Sequence, residues 1–503
     1  MTTTTPNPAA ECFGVVIIGA GFSGVGMGIT LRNAGMRDFV ILEKAPASGG
    51  VWRDNTYPGA ACDVPSPLYS FSFERDYRWS RMYSPREEID RYLRYCIDKY
   101  GLAPQIRYGV EIKAACFDER VGRWRIDSTS GETLWARSLI TATGQLSRPA
   151  WPDIPGLREF RGTIFHSACW DHSFDLNGKQ VAVIGTGASV IQFVPRIVEK
   201  VAKLSLFQRS APYVIPKSDH ALSQVQYRLF DVLPLLYSLV RATVYLSHEF
   251  FGIGFLTRFR FANFLIRVAA FLNLRFMVRD PELRRKLMPR HSLGCKRILV
   301  SNDYYPAVSR TNVEVITSGI RRIGAEHIES TDGTSRRVDA IIFGTGFQTT
   351  GLLAPIDLRG RGKRSLSDAW REGAEAYLGM AVPGFPNLFM LYGPNTHVTH
   401  NSAIYMIESQ IRYVTKALRM LREQPGSCME VKESVHIAFN HRLQHALRRS
   451  VWAAGCRNWY VNAAGKVINN WSGFTFTYRH QTRQVRRGDY KWAKIAPSES
   501  IAN

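Results

Sequence analysis

Two glycine-rich turns, each following a run of apolar β-branched residues, limit what this chain of 503 residues can fold into. The first turn follows residues 15–18 and reads Gly19-x-Gly21-x-x-Gly24, ahead of an apolar stretch typical of a helix. Such glycines allow a tight bend, close approach of the backbone to a pyrophosphate, and close packing of the helix on the strand. Glu43, at the end of the next predicted strand, is placed to accept hydrogen bonds from ribose hydroxyls. The first turn therefore predicts a site for FAD or NAD.

The second turn, in "KQVAVIGTGASVIQFVPRI", differs from the first in two ways. Gly185 and Gly187 are kept, but Val190 stands at the third glycine position. Arg209 occupies the position that an acidic residue holds after the first turn. An arginine there can bind a 2′-phosphate through paired charged hydrogen bonds, which favours NADPH over NADH. A solvated surface arginine is the alternative interpretation. Together the turns predict a tightly held FAD and an exchangeable NADPH.

The expected fold class is α/β, with two Rossmann-like dinucleotide-binding domains, one for FAD and one for NADPH. The stretches "SLITATGQ" and "VDAIIFGTGFQ" resemble the crossover strands of flavoproteins with two dinucleotide domains, so we expect the NADPH domain to be inserted in the FAD domain. The expected boundaries are 1–147 and 349–503 for the FAD domain, 148–220 and 290–348 for the NADPH domain, and 221–289 for a helical insertion or lid.

Composition narrows the partners and the compartment. The formal charge of +23 favours anionic ligands such as nucleotide phosphates or lipid headgroups, and no nucleic-acid-binding signature accompanies it. We therefore expect no nucleic-acid partner. The eight cysteines form no C-x-x-C pair, which predicts reduced thiols and no metal site. The opening residues lack a signal-peptide pattern and no uncharged apolar run could cross a bilayer, so the expected compartment is the cytoplasm.

The stretch "FRGTIFHSACWD" precedes the second turn and belongs to neither phosphate loop. Its pattern, Phe160-x-Gly162-x-x-x-His166-x-x-x-Trp170-Asp171, resembles the fingerprint of type I Baeyer-Villiger monooxygenases. Members of that family use FAD, NADPH and O2 to insert one oxygen atom beside a ketone carbonyl. Related N- and S-oxygenating flavin monooxygenases usually carry another residue at the position of Trp170. The tryptophan therefore favours the Baeyer-Villiger family.

Further stretches carry the same resemblance along nearly the whole chain, from about residue 13 to about residue 490. "SGGVWRDNTYPGAACDVPSPLYSFSF" is similar to a second family marker and contains Trp52 and Asp63. "LGCKRILVSNDYYPAVSRTNVEV" is similar to a third and contains Lys296 and Arg297. The departures from the family pattern are small, chiefly Val190 and a phenylalanine in "FGTGF" where alanine is usual. Neither departure removes a charge or a hydrogen-bond donor.

The resemblance implies a reaction and a catalytic pair. A lipophilic ketone would be converted to an ester or lactone through a flavin C4a-peroxide, whose anionic form needs a fixed cation nearby. Arg297 matches the family's catalytic arginine, and such a guanidinium stays protonated at any working pH. Asp63 matches the acidic partner that orients it near the flavin. The alternatives are a surface ion pair for Arg297 and an ordinary turn or helix cap for Asp63.

The resemblance also implies roles outside the catalytic pair. Trp52 belongs to the marker near the flavin, and Lys296 is a candidate contact for a nicotinamide-nucleotide phosphate. Asn395, in "NLFMLYGPNTHVTHNS", is expected to direct a backbone donor toward the pyrimidine end of the flavin. His166 and Trp170 are expected to couple movement of the NADPH domain to oxygenation rather than to act in the chemical step.

Residues 221–280 are apolar and aromatic, with arginines that interrupt every apolar run. Such a segment reads as helical and is too interrupted to span a bilayer. It suits either a lid packed on the NADPH domain or an amphipathic helix at a membrane surface, with its arginines reaching the headgroups. Beside an active site, it would suit a long-chain or steroid-like ketone.

Three other functions remain open from the sequence. An N- or S-oxygenating flavin monooxygenase shares the cofactors, and a pyridine-nucleotide-dependent flavoprotein reductase shares the plan of two dinucleotide sites. A reductase should carry a redox dithiol or a docking site, and no C-x-x-C is present. A non-catalytic, lipid-binding flavoprotein is the third. The sequence names neither the ketone nor the oligomeric state.

Overall fold

A computed structural model describes residues 11–256, 260–349, 351–453, 455 and 458–495. The strands are β1 (Cys12–Ile18), β2 (Phe39–Glu43), β3 (Ile106–Tyr108), β4 (Ile112–Asp118), β5 (Arg123–Ser128), β6 (Thr133–Thr141), β7 (Thr163–His166), β8 (Gln180–Ile184), β9 (Lys203–Phe207), β10 (Val214–Ile215), β11 (Leu299–Val300), β12 (Val313–Ile316), β13 (Ile320–Ile323), β14 (His327–Ser330), β15 (Ser335–Arg337), β16 (Ala340–Phe343), β17 (Asp357–Arg359), β18 (Leu388–Met390), β19 (Ser427–Val431) and β20 (Tyr490–Lys494).

The helices alternate with these strands in the order typical of an α/β protein. They are α1 (Phe22–Asn33), α2 (Val51–Asp54), α3 (Arg86–Lys99), α4 (Ala188–Ile197), α5 (Gln224–Val232), α6 (Pro234–Leu256), α7 (Arg260–Met277), α8 (Pro281–Lys286), α9 (Tyr304–Val308), α10 (Leu366–Ala369), α11 (Ala403–Arg422), α12 (Glu433–Arg448) and α13 (Thr475–Gln481).

The first large sheet has the order β17-β4-β5-β6-β1-β2-β3, and β18 also pairs with β6. The central strand β1 is parallel to both neighbours, with Val16 opposite Val40 of β2 and Leu139 of β6. The side chains of residues 15–18 are buried, which explains their unbroken apolar character. The carboxyl end of β1 leads directly into the first glycine-rich turn.

The second large sheet has the order β12-β9-β8-β16-β7, and all of its pairings are parallel. All five strands lie between β6 and β17 in the chain, and both of those strands belong to the first sheet. The second Rossmann-like unit is therefore inserted in the first, and the expected fold class is confirmed. Each glycine-rich turn links a central parallel strand to a helix.

Glycines are required at the first turn because backbone lies where a side chain would be. A Cβ atom on Gly24 would lie 1.9 Å from the carbonyl oxygen of Gly19, and Gly19 has a φ of +105°. The second turn has Val190 at the third glycine position, and the space for this side chain comes from a glycine elsewhere in the chain. A Cβ on Gly344 would lie 2.1 Å from Cγ2 of Val190, so a glycine on β16's end makes room for the valine. Val190 thus fits without changing the turn.

The helical insertion contacts both units. Arg241 of α6 donates to the carbonyl oxygens of Pro67 and Ser70, which belong to the first unit. Asn273 of α7 donates to the carbonyl oxygen of Val214 at 3.1 Å, on β10. The insertion therefore packs on the first unit as well as on the NADPH domain, where a lid was expected. Among the described residues, no single helix is long and apolar enough to span a membrane, although the bent pair α5 and α6 meets that test jointly.

The expectation that every cysteine is a reduced thiol is wrong for Cys295. Cys295, two residues before Arg297, is disulfide-bonded. The free cysteines among the described residues are Cys12, Cys62, Cys96, Cys116, Cys169 and Cys428.

We predict that Gly24→Ala destabilises the first unit and weakens FAD binding, because the added methyl group would overlap a backbone oxygen. Overpacking of this kind costs about 1–3 kcal/mol. A lower melting temperature and a smaller amount of FAD per purified protein would show this effect. The matched control is Gly488→Ala, where a Cβ meets nothing within 4 Å. Equal melting temperatures and FAD contents for the two variants would contradict the prediction.

Candidate active site

Arg297 and Asp63 form a bidentate ion pair that joins segments of the two units. Nε of Arg297 donates to Oδ2 of Asp63 and Nη2 donates to Oδ1, both at 2.7 Å. Arg297 lies just before β11, and Asp63 lies in the loop that follows α2. The two side chains are about a quarter exposed, at 25% and 26%. The sequence placed both residues in family markers, and the structure brings them together.

Each member of the pair keeps the other charged. Burial alone would raise the pKa of the Asp63 carboxyl, but the charge and hydrogen bonds of Arg297 outweigh it and lower that pKa. Burial alone would lower the pKa of Arg297, but Asp63 raises it above its ordinary value. The pair is therefore ionised at neutral pH. Its contribution to stability is lost as the pH falls through the lowered pKa of Asp63.

A buried group of polar aromatic side chains lies near the pair. The hydroxyl of Tyr392 is 2.5 Å from Nδ1 of His397, whose ring also packs against Trp459 at 5.2 Å and Tyr460 at 6.0 Å. Burial, together with the charge of Arg297, lowers the pKa of His397 to about 3. The imidazole is therefore neutral beside a permanent cation. Sequence reasoning missed these residues because only their positions in space mark them.

The first turn fits the pyrophosphate of FAD. A Cβ on Gly21 would have only Gly50 within 4 Å, at 3.8 Å, so the backbone there is open to a close ligand. Glu43 is buried at the end of β2, where Oε2 accepts from the backbone N–H of Ala20 at 2.8 Å. Its other oxygen, Oε1, is 3.3 Å from Nη1 of Arg53. The carboxylate is thus fixed beside the turn, as the sequence predicts.

Two other predicted flavin contacts have specific partners. Nε1 of Trp52 donates to the hydroxyl of Tyr69 at 3.0 Å, which fixes the indole on α2. Asn395 differs from the expectation, because its backbone N–H donates to the carbonyl oxygen of Ile468 at 2.9 Å and is not free for a ligand. Its side chain instead holds the segment 467–470, and its buried Oδ1 has no partner among the described residues.

The second turn and the end of β9 form a cationic site that fits the phosphates of NADPH. Gly185 has a φ of +120°, and a Cβ on Gly187 would have only one neighbouring atom, at 3.9 Å. Lys296 donates to the hydroxyl of Ser210, next to Arg209. Burial and then the charge of Arg209 lower the pKa of Lys296, so the two cations lie close together. Neither has a carboxylate partner among the described residues.

The fingerprint begins within the second sheet. Phe160 is buried in the core beneath the sheet, and a Cβ on Gly162 would lie 2.4 Å from the carbonyl oxygen of Asp339. His166 ends β7 and is fully buried, and its Nδ1 accepts from the N–H of Ala168 at 3.1 Å. Burial lowers the pKa of His166. This part of the fingerprint leads into β7, the edge strand of the second sheet, and the buried side chains of Phe160 and His166 anchor it in the protein.

The second half of the fingerprint contacts the first unit indirectly. The ring of Trp170 is 5.2 Å from Phe193 on α4, and Phe193 is 6.2 Å from Tyr57 in the loop that precedes Asp63. Asp171 accepts from the N–H and the hydroxyl of Ser173, a local turn contact. Trp170 is therefore connected through two ring contacts to the loop that carries Asp63.

Comparison with known proteins agrees with this geometry. The family described as pyridine nucleotide-disulphide oxidoreductase matches residues 16–229, which is less than half of the chain. Among solved structures, oxidised steroid monooxygenase bound to NADP has a TM-score of 0.85 and 30% identity, covering 96% of this chain and 100% of that chain. Closed cyclohexanone monooxygenase has a TM-score of 0.87 and 25% identity, covering 97% and 100%.

Relatives with higher identity decide the family. A Baeyer-Villiger monooxygenase of Pseudomonas aeruginosa is 46% identical over 97% of this chain and 93% of its own length. A Baeyer-Villiger monooxygenase of Streptomyces coelicolor is 42% identical over 96% of this chain and 93% of its own length. At this identity over nearly its whole length, the chain belongs to the Baeyer-Villiger monooxygenase family, and it is an FAD-containing, NADPH-dependent monooxygenase.

Proposed function

We propose that the enzyme converts a lipophilic ketone to an ester or lactone and that Arg297 is the cation at the reacting oxygen atoms. The observation that carries this proposal is the bidentate pair of Arg297 with Asp63, placed where the two units meet. Bidentate pairing orients a guanidinium plane while leaving donors for another anion. Oxygenation of nitrogen or sulfur forms no oxyanion on a carbonyl carbon. An N- or S-oxygenating enzyme would therefore have no comparable need for this ion pair.

The residues divide the work between charge and orientation. The bound flavin, once reduced by NADPH, supplies the electrons and the oxygen chemistry. Arg297 would stabilise negative charge on oxygen without giving up its proton, because its pKa lies above its ordinary value. Asp63 would hold the guanidinium in place. His397, with a pKa of about 3, would remain uncharged and supply no competing proton above that pH.

The fingerprint would couple the two units without touching the reacting atoms. Support comes from the ring contacts that run from Trp170 through Phe193 to Tyr57. The hydroxyl of Tyr57 also donates to Oε1 of Gln192 on α4, at 2.9 Å. A shift of α4 relative to the first unit would therefore move the loop that carries Asp63. We assign Trp170 a positioning role on this basis.

We also propose that the enzyme works in the cytoplasm as a peripheral protein at a membrane surface, where lipophilic ketones partition. Most of the exposed large apolar side chains among the described residues lie within 225–277. On α6 the most exposed are spaced four and seven residues apart and so share one face: Leu235, Leu239, Leu246 and Phe250. We call this face the apolar stripe. A surface helix ordinarily turns its polar face to water, so an apolar partner suits the stripe.

We predict that Arg297→Ala lowers the rate of ester formation by about 100-fold or more, because removal of an oxyanion-stabilising donor typically costs that much. Reduction of the flavin by NADPH should persist, so H2O2 release would rise relative to ester. Product analysis by gas chromatography and a peroxide assay measure both quantities. Arg310→Ala, which removes a surface ion pair with Glu199, is the control and should leave both unchanged. Wild-type coupling in Arg297→Ala would refute the assignment.

We predict that Arg209→Ala raises the KM for NADPH by about 10- to 100-fold, because a charged hydrogen bond to phosphate contributes about 1.5–3 kcal/mol. The KM for NADH should stay nearly constant, since NADH has no 2′-phosphate. Steady-state rates with each nucleotide give the comparison within one variant. An equal loss with both nucleotides would mean that Arg209 has a general structural role instead.

We predict that Leu239→Asp and Leu246→Asp together reduce binding to phosphatidylcholine vesicles that contain phosphatidylglycerol, measured by co-sedimentation. Each change places a charge on the apolar stripe, where contact with the membrane would have to desolvate it. Ile437→Asp is the matched control, because Ile437 is an exposed apolar residue on α12, outside the insertion. Failure of the wild-type enzyme to sediment with vesicles would exclude the membrane contact.

A further inference from the structure

A basic pocket lies between α1, α11 and α13, away from the ion pair of the active site. Its volume is about 320 Å³. That volume is at the small end for ligand sites and is suited to a headgroup-sized molecule rather than a dinucleotide. Five cationic side chains and one hydroxyl that line it define what we call the basic pocket: Thr30, Arg412, Lys416, Arg419, Arg479 and Arg483.

The positive charge of the basic pocket has little compensation from acidic residues. Glu408 lies 4.0 Å from Arg479, and its Oε1 already accepts from the backbone N–H of Ser72 at 2.5 Å. Among the described residues, the side chains of Arg412 and Arg419 form no hydrogen bond or ion pair, and Glu408 is the acidic group that attracts Arg412. A group of cations with few acidic partners, gathered in one concavity, is a common feature of sites for anions.

Helix electrostatics explain only part of this charge. Arg419 lies in the last turn of α11 and Arg479 in the last turn of α13, where cations complement the negative ends of helix dipoles. Arg412 and Lys416 lie in the middle of α11, where no such benefit exists. Burial is the main cause that lowers the pKa of Arg412, and repulsion by Arg479 lowers it further, while Glu408 partly opposes both. An anionic ligand would relieve that repulsion.

The basic pocket is connected to the α6 helix that carries the apolar stripe. The guanidinium of Arg479 lies over the ring of Tyr405, 4.3 Å from its centroid. The same ring stacks on Tyr245 of α6, with 5.0 Å between the centroids. Phe476, on the same helix α13 as Arg479, is another exposed apolar side chain, at 51%. The pocket is therefore joined through two rings to the inward face of α6, the helix whose outward face carries the apolar stripe.

We propose that the basic pocket binds the phosphate group of an anionic membrane lipid. Arginine guanidinium groups donate charged, paired hydrogen bonds to phosphate oxygens, and several cations match a headgroup that carries net negative charge. Connection of the pocket to the helix of the apolar stripe favours a lipid over a soluble phosphate ester as the source, so this inference rests on the proposed membrane contact. The pocket would give the enzyme a preference for anionic surfaces, and the stripe would give it general affinity for lipid.

The test compares the FAD-loaded full-length enzyme on two kinds of vesicle, pure phosphatidylcholine and phosphatidylcholine with phosphatidylglycerol. The test variant is Arg412→Gln with Arg419→Gln, and the charge-matched control is Arg321→Gln with Arg337→Gln, two exposed arginines on β13 and β15. We expect the test variant to lose about 30-fold in partitioning to anionic vesicles, since two basic residues contribute that much near a charged surface. Partitioning to pure phosphatidylcholine should stay at the wild-type level.

Other results would contradict the phosphate site, the membrane contact or the lipid source separately. Equal losses in the test and control variants on anionic vesicles would reduce the effect to net charge and exclude a built site. If wild type binds neither vesicle, the membrane contact itself fails. Glycerol phosphate is then the probe for a soluble source, measured as a rise in melting temperature that Arg412→Gln abolishes. Such a rise without vesicle binding would replace the lipid by a free phosphate ester.

Discussion

The ion pair of Arg297 and Asp63 is the interaction on which the rest of the active site depends. It joins a loop of the first unit to a segment of the inserted second unit, and it keeps a guanidinium charged and oriented in a partly buried place. An unpaired arginine there would be costly to desolvate, and an unpaired aspartate would repel the anions that the site must stabilise. The surrounding neutral groups, His397 and Tyr392, preserve that charge balance.

Sequence predicted the features that follow from local chemistry. The glycine turns and the buried strands before them are local patterns, and the insertion of one unit in the other followed from the crossover strands. The roles of Glu43 and Arg209 at the two nucleotides stay predictions. The fit of Val190 could not be predicted, because the space for it is created by Gly344, far along the chain. The hydrogen-bond partners of Asn395 could not be predicted for the same reason, because residues 467–470 are distant in the chain and contact Asn395 only in the folded protein.

The insertion shows a different limit of sequence reasoning. Its apolar residues and arginines suited a lid or a surface helix, and the pattern alone could not say which face would be covered. In the fold, Arg241, Tyr245 and Glu249 of α6 turn toward the first unit, where Glu249 accepts from Asn401 at 2.6 Å. The apolar stripe consequently remains outside. Polar residues hold the helix to the protein, which leaves the apolar stripe exposed.

Isotopic labelling of O2 is the most direct test of whether the enzyme inserts oxygen into a ketone with the help of Arg297. The purified enzyme is supplied with NADPH, ¹⁸O2 and a panel of long-chain and polycyclic ketones, and the products are examined by mass spectrometry. We expect an ester or lactone that carries one ¹⁸O atom, with one NADPH consumed for each product molecule, and loss of that product in Arg297→Ala. Labelled N- or S-oxides from added amines or sulfides with every ketone unchanged, or H2O2 release with every ketone unchanged, would exclude ketone oxygenation.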